Sequence, residues 1–286
     1  MISSPAPVRH EWESGWWEQV LRQPDPRLRG HVIGPYLGWN EQTTRALRRR
    51  ETASGIIPLI INLGAAYRVM PGGHVTGETR TSFVAGLYET WVDVEGPLAT
   101  TAIQVNLTPL GARSLLGVPM DALANRVVEL EDLLGPGEHS LVEQLRNTVP
   151  WSARFELLET FLLRRLAVSS PTPAPIARAW GVLEASRGRV DLAALAGELG
   201  WSHRHFIARF RDHVGLPPRT VARILRFQRA LDLLTRPEAS SLGRIALDAG
   251  YFDQSHLNRD FTGFAGRTPT ALLASRIPGN GGIAAS

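Results

Sequence analysis

The chain contains no cysteine. That excludes disulfides, thiolate zinc sites and cysteine nucleophiles together, and it fits the reducing cytoplasm, where the protein is expected to reside. Lysine is missing as well, so all 31 basic residues are arginine. No apolar run approaches the roughly 18 residues that a membrane-spanning helix needs, so no membrane partner is expected. The opening Met1-Ile2-Ser3-Ser4-Pro5-Ala6-Pro7 lacks a basic stretch followed by an apolar one and is not expected to be a secretion signal. There is no Gly-x-Ser-x-Gly, no phosphate-binding Gly-x-x-x-x-Gly-Lys loop and no Gly-x-Gly-x-x-Gly.

What is present is 286 residues, enough for two cored units, with 43% apolar residues. Charge is unevenly placed. Residues 176–277 carry a net charge of +6, whereas residues 1–175 carry −2. A basic segment joined to a slightly acidic one is the asymmetry expected of a nucleic-acid-binding module attached to something else.

The basic segment contains a repeat. Leu195-Ala196-Gly197-Glu198-Leu199-Gly200-Trp201 returns as Ile245-Ala246-Leu247-Asp248-Ala249-Gly250-Tyr251, 50 residues on. Phe206, Arg209-Phe210, Gly215 and Pro218 return as Leu257, Asp260-Phe261, Gly266 and Pro269, at an offset of 51. Each copy reads helix, glycine-centred turn, helix. Asp191 and Ser241 are placed to cap the first helix of each copy, and Ser202 and Asp253 the second. Between the copies, Arg219 to Leu234 is expected to form a long amphipathic helix with Val221, Ile224, Leu225, Phe227, Ala230, Leu231 and Leu234 on its buried side. Phe206, Phe210, Leu257, Phe261 and Phe264 are spaced for burial and belong to the core.

The rest of the chain changes texture near Pro109. Residues 5–30, with Trp12, Trp16 and Trp17, suit either a short amphipathic helix or a strand. From about 31 to 110, short apolar runs at 56–63, 66–70, 82–86, 90–94 and 101–107 alternate with glycine and proline, the pattern of a small barrel or sandwich. Helices are expected at 111–117, 127–134, 140–149 and 151–168. Ser169-Ser170-Pro171-Thr172-Pro173-Ala174-Pro175 is a stiff linker and the best boundary in the chain. The expected order is thus a β-rich regulatory domain (1–138), a helical segment (139–168), the linker (169–175), an all-α domain (176–277) and a disordered tail (278–286).

Residues 176–276 resemble the DNA-binding domain of AraC/XylS transcriptional regulators. The more specific part is Ile245-Ala246, Ala249-Gly250-Tyr251, Asp253-Gln254-Ser255-His256-Leu257, Arg259-Asp260-Phe261, Phe264-Ala265-Gly266 and Thr268-Pro269. The resemblance implies two recognition helices in successive major grooves, about 34 Å apart. It implies base contacts from Gln254, Ser255, Asn258 and Arg259 in the second helix, where Gln and Asn suit adenine and Arg suits guanine. Arg259 has a rival role as a phosphate or intradomain anchor. In the first helix the matching positions are Arg204, Ile207 and Ala208, so that half is expected to read thymine methyls or shape. His203 and His205 flank these positions, and His256 is the corresponding residue of the second helix. Arg211, Arg219, Arg223 and Arg267 are expected phosphate contacts. Double-stranded DNA and RNA polymerase are the implied partners.

The N-terminal part, through Pro58-Leu59-Ile60-Ile61-Asn62-Leu63, Phe83-Val84-Ala85-Gly86, Leu116-Gly117-Val118-Pro119 and Leu130-Glu131-Asp132-Leu133-Leu134-Gly135, resembles the divergent cupin-like barrel of one regulator subgroup. The fold expected overall is α+β multidomain: a cupin-like β barrel with following helices, then an all-α domain of two helix-turn-helix units joined by a long helix. A small-molecule effector would sit inside the barrel against Trp39, Tyr67, Tyr88 and Trp91, which are otherwise barrel core. The helix at 151–168 is a candidate homodimer element or else packs on its own barrel. Cupin catalysis needs several histidines and a carboxylate on neighbouring strands, and the region offers only His31 and His74. Neither metal nor another cofactor is expected, and the chain is not expected to be an enzyme. The alternative is a cupin-type enzyme or small-molecule-binding protein with an appended DNA-binding domain. A methyl-accepting repair regulator fails for want of cysteine.

Overall fold

The computed structural model describes residues 7–72, 76–236, 238, 240–276 and 282–285; His74 lies outside them. Its N-terminal part is β-rich, with eleven strands among the described residues: β1 (Val8–Trp12), β2 (Gly15–Arg22), β3 (Tyr36–Thr43), β4 (Arg48–Glu51), β5 (Ile57–Asn62), β6 (Tyr67–Pro71), β7 (Glu78–Arg80), β8 (Phe83–Ala85), β9 (Val92–Glu95), β10 (Ala99–Leu107) and β11 (Val127–Glu129). The Trp-rich segment left open between helix and strand is the β1–β2 hairpin, with Trp12 opposite Gly15 and Trp17 opposite His10.

Two antiparallel sheets face each other. Seven strands run in the order β1-β2-β3-β10-β5-β8-β11, and four in the order β4-β9-β6-β7. The alternation of side chains along a strand decides what each face meets. On β5, Ile57, Leu59 and Ile61 turn to the main core, while Pro58 and Ile60 face the opposite sheet. A strand covered on both faces reads as a continuous apolar run. That is why 56–63 shows no alternation.

Behind the large sheet lie α1 (Pro109–Leu116), α2 (Leu130–Leu134), α3 (Pro136–Asn147) and α4 (Trp151–Ala167). The segment 127–134, expected as one helix, divides into β11 and α2: Val127 and Val128 pair with Ala85 and Val84 at the edge of the sheet. On α4, Phe155, Leu158 and Leu162 are buried in the chain's own core, and Phe155 stacks on Tyr36 with centroids 6.0 Å apart. That side of the helix considered for a partner copy thus packs on its own barrel.

The C-terminal part is all helical: α5 (Ala174–Ala185), α6 (Leu192–Glu198), α7 (His203–Val214), α8 (Pro218–Leu234), α9 (Leu242–Ala249), α10 (Gln254–Ala265) and α11 (Pro269–Ala274). Helix α5 begins inside the expected linker, with Pro175 in its first turn, where a missing N–H costs nothing. Phe206, Phe210, Leu257, Phe261 and Phe264 are all buried. One tail segment departs from the expected disorder. Residues 282–285 add to the free edge of β4: the Arg50 N–H donates to the Ile283 carbonyl at 2.8 Å and the Ala285 N–H to the Arg48 carbonyl at 3.1 Å. An edge strand offers unpaired backbone groups, and the tail takes them.

Candidate nucleic-acid interface and adjoining cavity

The two halves of the helical domain are built alike. Ser202 accepts from the His205 N–H and Asp253 from the His256 N–H, so α7 and α10 start on equivalent caps. Gly200 and Gly250 take φ of +69° and +86°, which a side chain would resist, and turn the chain between the paired helices. The turn aromatics pack edge-on against the capped histidines: Trp201 on His205 at 4.9 Å and Tyr251 on His256 at 5.1 Å. The change of offset from 50 to 51 now has a location. Phe252 is the inserted residue, and its ring is 86% exposed beside the start of α10. It was not among the residues expected at the interface; the shift in repeat spacing was its signal.

At the start of α7, His203, Arg204 and His205 are exposed, followed by exposed Ala208 and half-buried Ile207. On α10, Gln254, Ser255 and Arg259 are exposed and His256 is half-buried. Arg259 makes no ion pair among the described residues. Asn258 is half-buried, and its side-chain oxygen is shut off from water without a donor. Arg211 and Arg219 are exposed. Two arginines expected on phosphate have partners within the protein. Arg223 donates to Asp260 at 2.6 Å and lies 5.0 Å from the centroid of the Phe264 ring. Arg267 donates to the Ser275 hydroxyl. Asp260 is 1% exposed, and a carboxylate removed from water needs such a partner; Arg223 supplies it while its own side chain stays 42% exposed.

Between the two sheets lies a cavity of about 330 Å³. Its walls form an apolar cluster of their own, containing Trp39, Ile60, Tyr67, Phe83, Tyr88 and Val92. Among the described residues the buried Tyr67 and Tyr88 hydroxyls have no hydrogen-bond partner. Burial pushes both phenols up, Tyr88 to about 12. Strand β4 brings charge to this wall through Arg49 and Glu51. Arg49 grips Glu41 through both carboxylate oxygens. Trp91, grouped with the cavity aromatics on sequence, lies elsewhere. Its neighbours are Arg50, 5.2 Å from the ring centroid, and Gly266 at the end of α10. Strand alternation explains the difference, because Val92 and Val94 take the inward positions of β9.

The outer face of β4 meets the helical domain. Arg48 and Arg50 both bind Asp93, which is 1% exposed. Arg50 also reaches the Ala265 carbonyl at 3.4 Å, and the Ala53 N–H donates to the Phe264 carbonyl at 3.0 Å. Gln228 on α8 accepts from the Gly55 N–H at 3.2 Å. Cavity wall and recognition-helix end are thus opposite sides of one strand. Among the described residues no group of three potential metal ligands occurs, and no helix is long and apolar enough to cross a membrane.

Comparison with known proteins matches residues 195–275, both copies of the repeat, to a helix-turn-helix domain family. No curated protein matches. Among solved structures, ToxT from Vibrio cholerae is similar at 10% identity over 84% of this chain and 97% of that one, with a TM-score of 0.48. The C-terminal domain of AraT, a response regulator from Geobacillus stearothermophilus, is similar at 21% identity over 38% and 90%, with a TM-score of 0.35. The AraC-like transcriptional activator CuxR is similar at 14% identity over 80% and 84%, with a TM-score of 0.31. With two capped, glycine-turned units around α8, residues 195–275 form a helix-turn-helix domain.

Proposed function

We propose that this protein is a sequence-specific transcription regulator whose helices α7 and α10 enter successive major grooves, and whose sheet cavity holds a small-molecule effector. The carrying observation is the duplicated capped helix, each copy presenting its first turns to solvent while its phenylalanines or leucine are buried. Helix α10, with Gln254, Ser255 and Arg259, supplies hydrogen-bonding base readers, and α7, with Ile207 and Ala208, supplies apolar ones. Arg204, Arg211 and Arg219 supply cationic contact. We further propose an activator role with RNA polymerase as partner, checked by run-off transcription from the bound promoter.

The test is fluorescence anisotropy on the DNA upstream of the protein's own gene, against a scrambled duplex, at two salt concentrations. The expected result is a clear preference for the cognate duplex, of which Gln254→Ala/Arg259→Ala removes about 1–3 kcal/mol of discrimination per lost contact. Equal binding to both duplexes that disappears with salt would reduce the interaction to phosphate attraction and defeat the proposal for this operator.

A further inference from the structure

We propose that the cavity between the two sheets takes an organic cation, an alkyl- or arylammonium with its apolar body among Trp39, Tyr67, Phe83 and Tyr88 and its charged head at Glu51. The inference rests on the reading of this cavity as the effector site and adds the charge of the ligand.

The walls favour an apolar body, because nearly every lining position on β3, β5, β6, β8 and β9 is apolar or aromatic, with Gln19, Thr52, Ser54, Thr90 and Gln104 adding polar groups from other segments. The sign of the charge follows from three side chains. The cavity is lined by two carboxylates, Glu41 and Glu51, and one guanidinium, Arg49. Arg49 is already engaged by both oxygens of Glu41, so an incoming anion would have to break that pair. Glu51 makes no hydrogen bond or ion pair among the described residues. It opens onto the cavity and is exposed there, so its carboxylate is free to meet an incoming head group. A cation entering beside Glu51 meets an attractive charge without displacing Arg49 from Glu41, whereas an anion meets repulsion. The aromatic faces act in the same direction, since their negative quadrupoles attract an ammonium group and repel a carboxylate.

The rings of Tyr67 and Tyr88 line the cavity, while their hydroxyls are shut off from its accessible space. The volume of about 330 Å³ lies at the small end of the range for small-molecule sites.

The experiment titrates the full-length protein with three ten-carbon probes below their micellar concentrations, read by tryptophan fluorescence and calorimetry. Decyltrimethylammonium, decanol and decanoate share a tail and differ in head-group charge. The expected order is decyltrimethylammonium tightest by about tenfold over decanol, with decanoate weakest. Glu51→Gln is expected to abolish the advantage of the cation while leaving decanol affinity intact, which also shows that the variant is folded. Decanoate binding as tightly as the cation, or a cation preference that survives Glu51→Gln, overturns the charge assignment and leaves the effector cavity standing. Binding of none of the three overturns both.

Discussion

Asp260 shows how a single side chain is assigned its work by packing. It occupies, in the second repeat, the place of Arg209 in the first, and there it is buried and held by Arg223 from α8. Read along the sequence, Arg223 is one more cation on a basic helix. In the folded chain it neutralises the one buried carboxylate of α10 and covers the Phe264 ring. The two residues are 37 positions apart, and only the crossing of α8 and α10 makes them neighbours. Removing the cation strands a buried charge, whereas removing the carboxylate leaves a partly exposed arginine that water can solvate. Arg223→Ala is therefore expected to cost more than Asp260→Asn, near the lower end of the ~3–5 kcal/mol seen for broken buried pairs, because Arg223 is 42% exposed. Denaturant midpoints of both variants check this; equal losses, or the reverse order, would show that the carboxylate is not dependent on Arg223.

At the scale of elements, the helices were the most legible. Their caps and glycines are local signals, and Ser202, Asp253 and Ser241 cap where their position before an apolar period indicates. Ser202→Ala and Asp253→Ala are each expected to lower stability by about 1 kcal/mol. They should also weaken DNA binding more than a remote change of equal stability cost, because the cap orients the first turn of a recognition helix. Thermal melts and anisotropy on the same variants separate the two effects. Strands were legible where they bury one side against a core, as at 101–107. They were not legible at β4, whose Arg48-Arg49-Arg50-Glu51 has no apolar residue to mark it. That strand exists because Asp93 opposite, Glu41 across the cavity and the tail at 282–285 satisfy its charges and backbone. Such partners are spread over the whole chain, and no window of sequence contains them.

For the whole molecule, the main consequence of β4 is that the cavity and the DNA-binding domain share it. Arg49 and Glu51 line the cavity, while Arg50 and the following Ala53 contact Ala265 and Phe264 at the end of α10. Gly266 is the tightest point. Its φ is +67°, and an added Cβ would come within 2.8 Å of Trp91 and Arg50. Gly266→Val is expected to part the two surfaces. Hydrogen exchange at the Ala53 amide, which donates to Phe264, should then quicken by at least about tenfold, with protection in α5 and α6 unchanged. Unaltered exchange at Ala53 would mean that this contact does not hold the halves together.

The division between sequence and structure follows the range of the interactions. Repeat spacing, caps, turn glycines and the charge asymmetry are local or periodic, and by themselves they determined a basic domain of two helix-turn-helix units behind a β-rich part. The exposure of Gln254, Ser255 and Arg259 belongs to the same reading, because helical period alone puts them outside. Three things were decided by tertiary structure: that Trp91 faces Gly266 and not the cavity, that Arg223 serves Asp260, and that an all-charged tetrapeptide is the strand joining cavity to recognition helix. Each depends on which distant residues meet, and burial, not pattern, sets the cost of leaving those charges and rings without partners.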